Sequence, residues 1–330
     1  LNSVFMVSSN DGWVVGDAGT IIHWDGTEWT EVTSPTINDL NSVFMVSSND
    51  GWVVGDAGTI IHWDGTEWTE VTSPTTHALY SVFMVSANKG WAVEYLGHIF
   101  YWNGTRWSLV RIPTVLRPLY SVFMVSSNDG WVVGDAGTII HWDGTEWTEV
   151  KAPTYTPLRS VYMVSADDGW IVGEDGTIIR WNGESWKSVT NPTYTMFYRV
   201  FMVSAVDGWA VGYDPYIDFG MGTIIHWNGE SWSNVTNPTD NYLYSVFMVS
   251  ANEGWAVGGV GEIIYFDGVE WIPEYPTVIL ALLMIMLTSV AVNLAKKGGK
   301  AMRKPTFTKQ NMLSTNYLIR LNGNSARKTV

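Results

Sequence analysis

Residues 42–74 read SVFMVSSNDGWVVGDAGTIIHWDGTEWTEVTSP, and most of the chain before residue 276 is a copy of this stretch. Residues 3–35 repeat it without a change, and residues 121–150 repeat its first part in the same way. Four looser copies begin at Ser81, Ser160, Arg199 and Ser245, so the sequence holds seven units. Successive units start 39 to 46 residues apart, a period that is typical of solenoids, propellers and arrays.

Each unit contains four short apolar runs separated by turn residues, namely SVFMV, WVV, TIIHW and TEWTEV. The Asn-Asp-Gly and Asp-Gly sequences between the runs favour the positive φ angles of tight hairpins, and Val, Ile, Thr and Trp suit a pleated sheet. Successive residues within a run are apolar, so both faces of each small sheet must be covered. Radial stacking of sheets covers both faces, whereas a two-sheet sandwich would leave alternate residues polar.

We therefore predict an all-β fold, a seven-bladed β-propeller of four-stranded antiparallel blades in residues 1–275. The SVFMV-type strands should be innermost. The blades should start near residues 1, 40, 79, 119, 158, 197 and 243. All 20 tryptophans occupy three repeating places of the unit and are expected in the core.

Two motifs of the unit resemble a known family. Residues 51–60, GWVVGDAGTI, and residues 63–68, WDGTEW, recur in the other units with small changes. The pair is similar to the BNR/Asp-box-like propellers and most similar to Ycf48-like repeats, although an Asp-box usually has one more residue between Asp and Gly than Asp64-Gly65. The resemblance implies a propeller fold with either an assembly or chaperone role, as in Ycf48-like factors, or a sialidase-type activity.

Charge is divided unevenly along the chain. All 32 acidic residues and nine of the 18 basic residues precede residue 276. Nucleic-acid binding depends on Lys and Arg that replace counterions on the phosphates, so an acidic propeller is not expected to bind DNA or RNA. The absence of Cys excludes disulfides and thiolate chemistry.

Residues 277–295, TVILALLMIMLTSVAVNLA, differ in character from the repeats because they carry no charge. A helix that rises about 1.5 Å per residue would span close to the ~30 Å hydrocarbon core over this length. We predict one transmembrane α-helix here. Five basic residues follow it closely: Lys296, Lys297, Lys300, Arg303 and Lys304. The positive-inside rule then predicts a basic cytoplasmic tail without regular structure over 296–330 and an extracytoplasmic propeller.

Both ends of the propeller sequence carry further hints. Residues 272–276, IPEYP, resemble the Pro-Glu-Phe-Pro lead-in of archaeal C-terminal surface-sorting (PEF-type) tails. The sequence begins with Leu1 rather than Met, close to a repeat boundary, so we expect that the natural protein continues before it.

A candidate binding face follows from comparing the seven units. In a four-stranded meander, the turns between second and third strands emerge beside the blade-to-blade linkers, and the SNDG and WDG turns emerge on the opposite face. The units vary mainly on the first face, where unit six carries an insertion over 213–221, YDPYIDFGM. Tyr-rich loops on a rigid scaffold are typical of recognition surfaces, and the alternative is loop drift without a binding role. The predicted ligand-binding residues are Tyr213, Tyr216, Asp218, Phe219, Tyr194, Tyr198, Arg117, Arg159, Arg199, Glu94 and Tyr95.

Three function classes remain open from the sequence. The first is a membrane-anchored propeller that binds protein or glycan at the cell surface, and the second is an assembly or chaperone factor for a membrane complex. The third, a sialidase-type hydrolase, would need a cluster of arginines, and Arg117, Arg159 and Arg199 are offset in register. We predict a binding protein that is not an enzyme and uses neither cofactor nor metal, since one Asp per turn lacks the oxygens that calcium requires.

Overall fold

The computed structural model describes residues 1–110, 116–215 and 221–274, which belong to one compact unit, Leu1–Thr277. Within these residues, seven four-stranded antiparallel sheets form, each from one unit of the sequence. This confirms the predicted seven-bladed propeller. No helix among the described residues is long and apolar enough to cross a membrane, and the predicted transmembrane segment and basic tail lie outside those residues.

The four strands of each blade follow one another in sequence. The first strands are β1 Ser3–Ser8, β5 Leu40–Ser47, β9 Leu79–Ser86, β13 Leu119–Ser126, β17 Leu158–Ser165, β21 Met196–Ser204 and β25 Leu243–Ser250. The second strands are β2 Asp11–Val15, β6 Asp50–Gly55, β10 Lys89–Glu94, β14 Asp129–Gly134, β18 Asp168–Gly173, β22 Asp207–Asp214 and β26 Glu253–Gly258. The third strands are β3 Ile21–Trp24, β7 Ile60–Trp63, β11 Ile99–Trp102, β15 Ile139–Trp142, β19 Ile178–Trp181, β23 Met221–Trp227 and β27 Ile263–Phe266. The fourth strands are β4 Trp29–Glu31, β8 Trp68–Glu70, β12 Trp107–Val110, β16 Trp147–Glu149, β20 Trp186–Ser188, β24 Trp232–Val235 and β28 Trp271–Glu274.

The turn between the second and third strands packs directly beneath the linker to the next blade. In blade two, Ala57 and Gly58 both have positive φ angles, 54° and 74°. A Cβ atom on Gly58 would lie 2.1 Å from the carbonyl oxygen of Thr75 in the following linker. Only glycine permits this approach, which brings turns and linkers together on one face of the propeller.

The opposite face is built from the two remaining hairpin turns. The Oδ1 atom of Asp64 accepts hydrogen bonds from the backbone N–H groups of Thr66 at 2.8 Å and Glu67 at 3.0 Å. The Thr66 hydroxyl donates to the same oxygen and has the largest effect, and together the three hydrogen bonds lower the pKa of Asp64 to about 2. The Trp63 indole donates to the carbonyl of Ser48 at 3.0 Å, so the WDG turn lies beside the SNDG turn.

Tryptophans join neighbouring blades. The fully buried Trp52 of blade two packs against Trp102 of blade three at 4.7 Å between ring centroids, and edge-on against Trp107 at 5.5 Å. Equivalent contacts recur around the ring, with Phe266 in place of one tryptophan. Tryptophans at the first and third places of the unit are buried, and most at the second place are partly buried.

The first strands form the innermost layer, and their backbone groups connect the blades into a closed ring. Each first strand contacts those of both neighbouring blades, including β1 with β25. At this closure the Val4 N–H donates to the Ser245 hydroxyl at 3.3 Å. The described blades each consist of four consecutive strands, so the ring closes without an exchanged strand.

Candidate binding site at the mouth of the central channel

Three rings of side chains line the central channel, because three positions of the first strand repeat in all seven blades. The outermost ring, called the rim, faces the linker side and contains Asn2, Asn41, Tyr80, Tyr120, Arg159, Tyr198 and Tyr244. The next ring, called the serine ring, contains Ser3, Ser42, Ser81, Ser121, Ser160 and Ser245, with Arg199 at the position of blade six. Two residues further along each strand lies the aromatic collar, which contains Phe5, Phe44, Phe83, Phe123, Tyr162, Phe201 and Phe247.

The aromatic collar is continuous. Neighbouring ring centroids lie 4.6 to 5.0 Å apart around the whole circle, and each pair is tilted. Tilted aromatic pairs at this spacing are favourable beyond the apolar area that they bury. Tyr162 of blade five is the one member with a hydroxyl. The collar therefore narrows the channel and presents an apolar floor to anything that enters from the rim.

Two cavities meet at Arg199. The mouth depression, about 320 Å³, is lined by the rim together with three serines of the serine ring. The deep chamber, about 220 Å³, lies further in and is lined by the aromatic collar with Ser81 and Ser121. Arg199 lines both cavities, so its side chain occupies the passage between them.

Arg199 is a cation without a counter-ion in the described part of the chain. No hydrogen bond or ion pair joins its guanidinium to any other described residue, and its side chain is partly buried between the two cavities. Burial lowers the pKa of Arg199, and the nearby Tyr162 hydroxyl counteracts part of this shift. In the same way burial raises the pKa of Tyr162, and Arg199 opposes that change. The two polar departures from the repeat in the channel therefore lie next to each other.

Arg159, in contrast, is already engaged. Its guanidinium forms an ion pair with Glu174 of the same blade, with Nε 3.0 Å from the carboxylate oxygen. The same guanidinium lies over the ring of Tyr120 at 4.2 Å from the centroid. Arg159 therefore organises the rim of blades four and five and is not free to neutralise a bound anion alone.

Four tyrosines of blades six and seven, called here the tyrosine cluster, stack beside the mouth depression. Tyr213 lies parallel to Tyr198, with centroids 5.8 Å apart and planes 16° apart, and it packs against Tyr242 at 4.5 Å. Tyr198 also meets Tyr244 edge-on at 5.0 Å. Burial raises the pKa of the Tyr198 hydroxyl, with smaller contributions from Tyr213 and Tyr244. The raised pKa keeps the Tyr198 hydroxyl uncharged at physiological pH.

The insertion of unit six explains how Tyr213 reaches this place. Strands β22 and β23 are longer than their counterparts, and the extra residues continue the antiparallel ladder through Tyr213 opposite Gly222 and Asp214 opposite Met221. The insertion thus lengthens a regular hairpin that places Tyr213 against Tyr198. Tyr216, Asp218 and Phe219, which were predicted in the same loop, lie outside the described residues.

The remaining predicted site residues occupy different places. Tyr194 is 78% exposed in the linker before blade six, and Tyr95 is 50% exposed in the turn of blade three. Arg117 is exposed in the linker before blade four and does not line the mouth depression. The three arginines thus do not converge at the mouth.

Glu94 is not part of the exposed face. Its side chain is fully buried, the Thr75 hydroxyl donates to its carboxylate at 2.7 Å, and His98 contacts its other oxygen. Other blades have glycine at this position of the second strand. The glutamate therefore serves the packing of the linker against blade three.

Tyr162 was not among the predicted residues. The only sequence signal for it is the change of SVFMV to SVYMV in unit five. Spacing alone does not show that this hydroxyl meets Arg199 in the next unit. Within the described residues no cluster of three or more His, Asp and Glu side chains has the arrangement of a metal site, and the repeated histidines bond neighbouring aspartates, as in His62 to Asp50 at 2.8 Å.

The comparisons with known proteins agree on the fold. No protein-family model matches the sequence, and no curated protein matches it. Among solved structures, one titled YCF48 bound to D1 peptide is 17% identical, with a TM-score of 0.66 over 80% of this chain and 90% of that chain. Virginiamycin B lyase from Staphylococcus aureus is 15% identical, with a TM-score of 0.70 over 79% and 92% of the two chains. The WD40 propeller domain of Doa1 is 17% identical, with a TM-score of 0.64 over 83% and 91%. At these identities the comparisons show the fold alone, and that fold is the propeller that the repeats predicted.

Proposed function

We propose that this propeller is a protein-binding module that holds a segment of its partner at the mouth of the central channel. The observation that carries this proposal is the tyrosine cluster, in which Tyr198, Tyr213, Tyr242 and Tyr244 pack side by side at the edge of a cavity. Aromatic side chains held on rigid strands lose little conformational entropy on binding and are the residues most often found as anchors. The described turns of the opposite face, in contrast, vary little in length and sequence from blade to blade.

Fold comparisons support the same function. A Ycf48 structure with this fold was solved with a D1 peptide, and the WD40 domain of Doa1 shares the architecture. An assembly or chaperone role is the specific form of protein binding that the Ycf48 similarity favours. A sialidase-type activity has less support, because Arg159 is paired with Glu174 and Arg117 does not line the mouth.

The proposal also includes a location. The uncharged residues 277–295 and the basic residues after them favour a membrane anchor with the propeller outside the cytoplasm. Protease added to intact cells that express the full chain should remove the propeller and spare the tail. Complete protection of the propeller would instead place it in the cytoplasm.

The binding function is tested with the full chain in detergent and a random decapeptide library. The decapeptide that the library yields is titrated against the double variant Tyr198→Ala/Tyr213→Ala and against two single controls. The controls are Tyr155→Ala, in the exposed linker before blade five, and Val269→Ala, in an exposed turn of the opposite face. Loss of two anchors should weaken binding by about tenfold or more, whereas the controls should bind like the wild type. The proposal is wrong if the double variant binds normally or if no decapeptide binds. A glycan array probed in parallel distinguishes a glycan-binding surface from a protein-binding one.

A further inference from the structure

The serine ring and the aromatic collar each contain one residue that departs from the repeat, and these two residues lie in neighbouring blades. Arg199 replaces serine in blade six, and Tyr162 replaces phenylalanine in blade five. Both residues line the deep chamber. Each of the other first strands keeps Ser and Phe at these two positions. Two polar groups have thus been introduced side by side into an otherwise repetitive channel.

The cation at this place has no partner in the described part of the chain to offset its partial burial. A partly desolvated guanidinium without a carboxylate costs some stability, because charges taken out of water are normally paired. Arg199 also contributes no hydroxyl to the serine ring, where the other six positions supply one to the next blade. A residue that costs stability twice is typical of a binding site, where the missing partner comes from a ligand.

The chemistry of the two groups defines that ligand. A guanidinium donates two parallel hydrogen bonds to a carboxylate, and a tyrosine hydroxyl donates a third. A phosphate carries about two negative charges and would require more than one cation, but the other arginine of the mouth, Arg159, is neutralised by Glu174. The apolar floor of the aromatic collar suits the carbon skeleton next to a carboxylate.

We infer that Arg199 and Tyr162 form a subsite for one carboxylate group of a polypeptide partner, which enters through the mouth depression while flanking residues pack on the tyrosine cluster. This inference rests on the proposed function and names the chemical group that the mouth recognises. The carboxylate belongs to the chain terminus or to an acidic side chain of the partner. Both sources present the same group to Arg199, and the test separates them.

The test uses variants that restore the residue found in the other repeats. These residues already occupy the same positions in other blades of the propeller, so the variants are expected to fold. They are Arg199→Ser and Tyr162→Phe. The matched control is Arg180→His, because histidine occupies the equivalent position in four other blades and Arg180 lies outside the channel, paired with Asp168. Each variant is titrated as the full chain with the decapeptide from the library, prepared as the C-terminal acid, as the C-terminal amide, and with its acidic side chains replaced by amides.

The wild type should bind either the C-terminal amide or the decapeptide without acidic side chains about tenfold or more weakly than the unmodified decapeptide. The modification that weakens binding identifies the source of the carboxylate. Arg199→Ser should lose a similar factor, Tyr162→Phe should lose about threefold to tenfold, and Arg180→His should bind normally. Normal binding by Arg199→Ser and Tyr162→Phe would overturn the inference, while loss in Tyr198→Ala/Tyr213→Ala would still support the proposed function. Free 3-phenylpropionate and its neutral amide are titrated in the same way. If 3-phenylpropionate binds more tightly than its amide and at least as tightly as the decapeptide, the subsite holds a small acid, and the inference of a polypeptide carboxylate is wrong.

Discussion

The hydroxyl oxygen of Ser160 in blade five accepts a hydrogen bond from the backbone N–H of Val200 in blade six at 3.3 Å. Five further blade junctions use the same contact, and Arg199 supplies no hydroxyl at the junction between blades six and seven. The most repetitive interaction of the propeller is therefore interrupted where the candidate site lies.

Replacing Arg199 by serine should stabilise the protein. The substitution restores a hydrogen bond worth about 1 kcal/mol and removes a partly buried charge that has no carboxylate partner among the described residues. Denaturant midpoints of the full chain check this, with Ser121→Ala as the opposite control that should lose about 0.5–1.5 kcal/mol. A lower midpoint for Arg199→Ser would show that the arginine supports the fold.

Alanine substitutions at Gly58 and Gly261 separate the cost of a steric clash from the cost of a left-handed backbone conformation. Both have positive φ angles, 74° and 79°, but only a Cβ on Gly58 meets a backbone oxygen, that of Thr75 at 2.1 Å. Gly261→Ala should cost about 1 kcal/mol from the left-handed conformation alone. Gly58→Ala should cost clearly more, because the linker must also move. Equal losses in thermal denaturation would mean that turn and linker are not in contact.

Val260 is a β-branched residue in the left-handed region, with a φ angle of 51°, and its side chain is 90% exposed. This conformation is strained for any residue with a Cβ and most strained for a branched one. Val260→Gly should therefore raise the free energy of unfolding by about 1 kcal/mol. Val269→Gly, at an exposed position without a positive φ angle, should bring no gain. A loss in Val260→Gly would contradict the turn geometry.

The Asp-Gly turns predict how stability depends on acid. Hydrogen bonds from the following threonine and glutamate lower the pKa of Asp25, Asp64 and Asp143 to about 2. A depressed folded-state pKa gives a contribution that is complete above the unfolded value of about 4 and is lost as pH falls from there through about 2. Thermal denaturation across this range should show a shallower acid decline in a variant with all three changed to asparagine.

The same variant should keep its stability at neutral pH. Three other blades already have asparagine at this position, and Asn103 accepts the same two backbone hydrogen bonds at 3.0 Å. An unchanged acid decline in the triple variant would assign it to other carboxylates.

The fold could be predicted from the sequence because its information is local and repeated. Gly58 and Asp64 recur with their turns in most units, and one interpreted unit predicts its neighbours. The candidate site could be predicted only in part. Tyr198 and Tyr213 were identified from the insertion and the linkers, whereas Tyr162 was not.

The missed features depend on how the units are placed in space. Tyr162 and Arg199 lie 37 residues apart in sequence, and only the packing and register of the neighbouring strands β17 and β21 bring them together. Glu94 appeared exposed because it follows a turn-like pattern, but its strand continues through it and turns the carboxylate towards Thr75. Neither relationship can be derived from spacing within one unit.

Hydrogen–deuterium exchange of the full chain, with and without the decapeptide from the library, tests the central claim most directly. Binding should protect the backbone at the start of β21 and the end of β22, around Tyr198 and Tyr213. The WDG and SNDG turns of the opposite face should exchange at the same rate with and without the decapeptide. Protection of those turns in several blades, with unchanged exchange at the mouth, would mean that the partner binds the other face of the propeller and not the mouth.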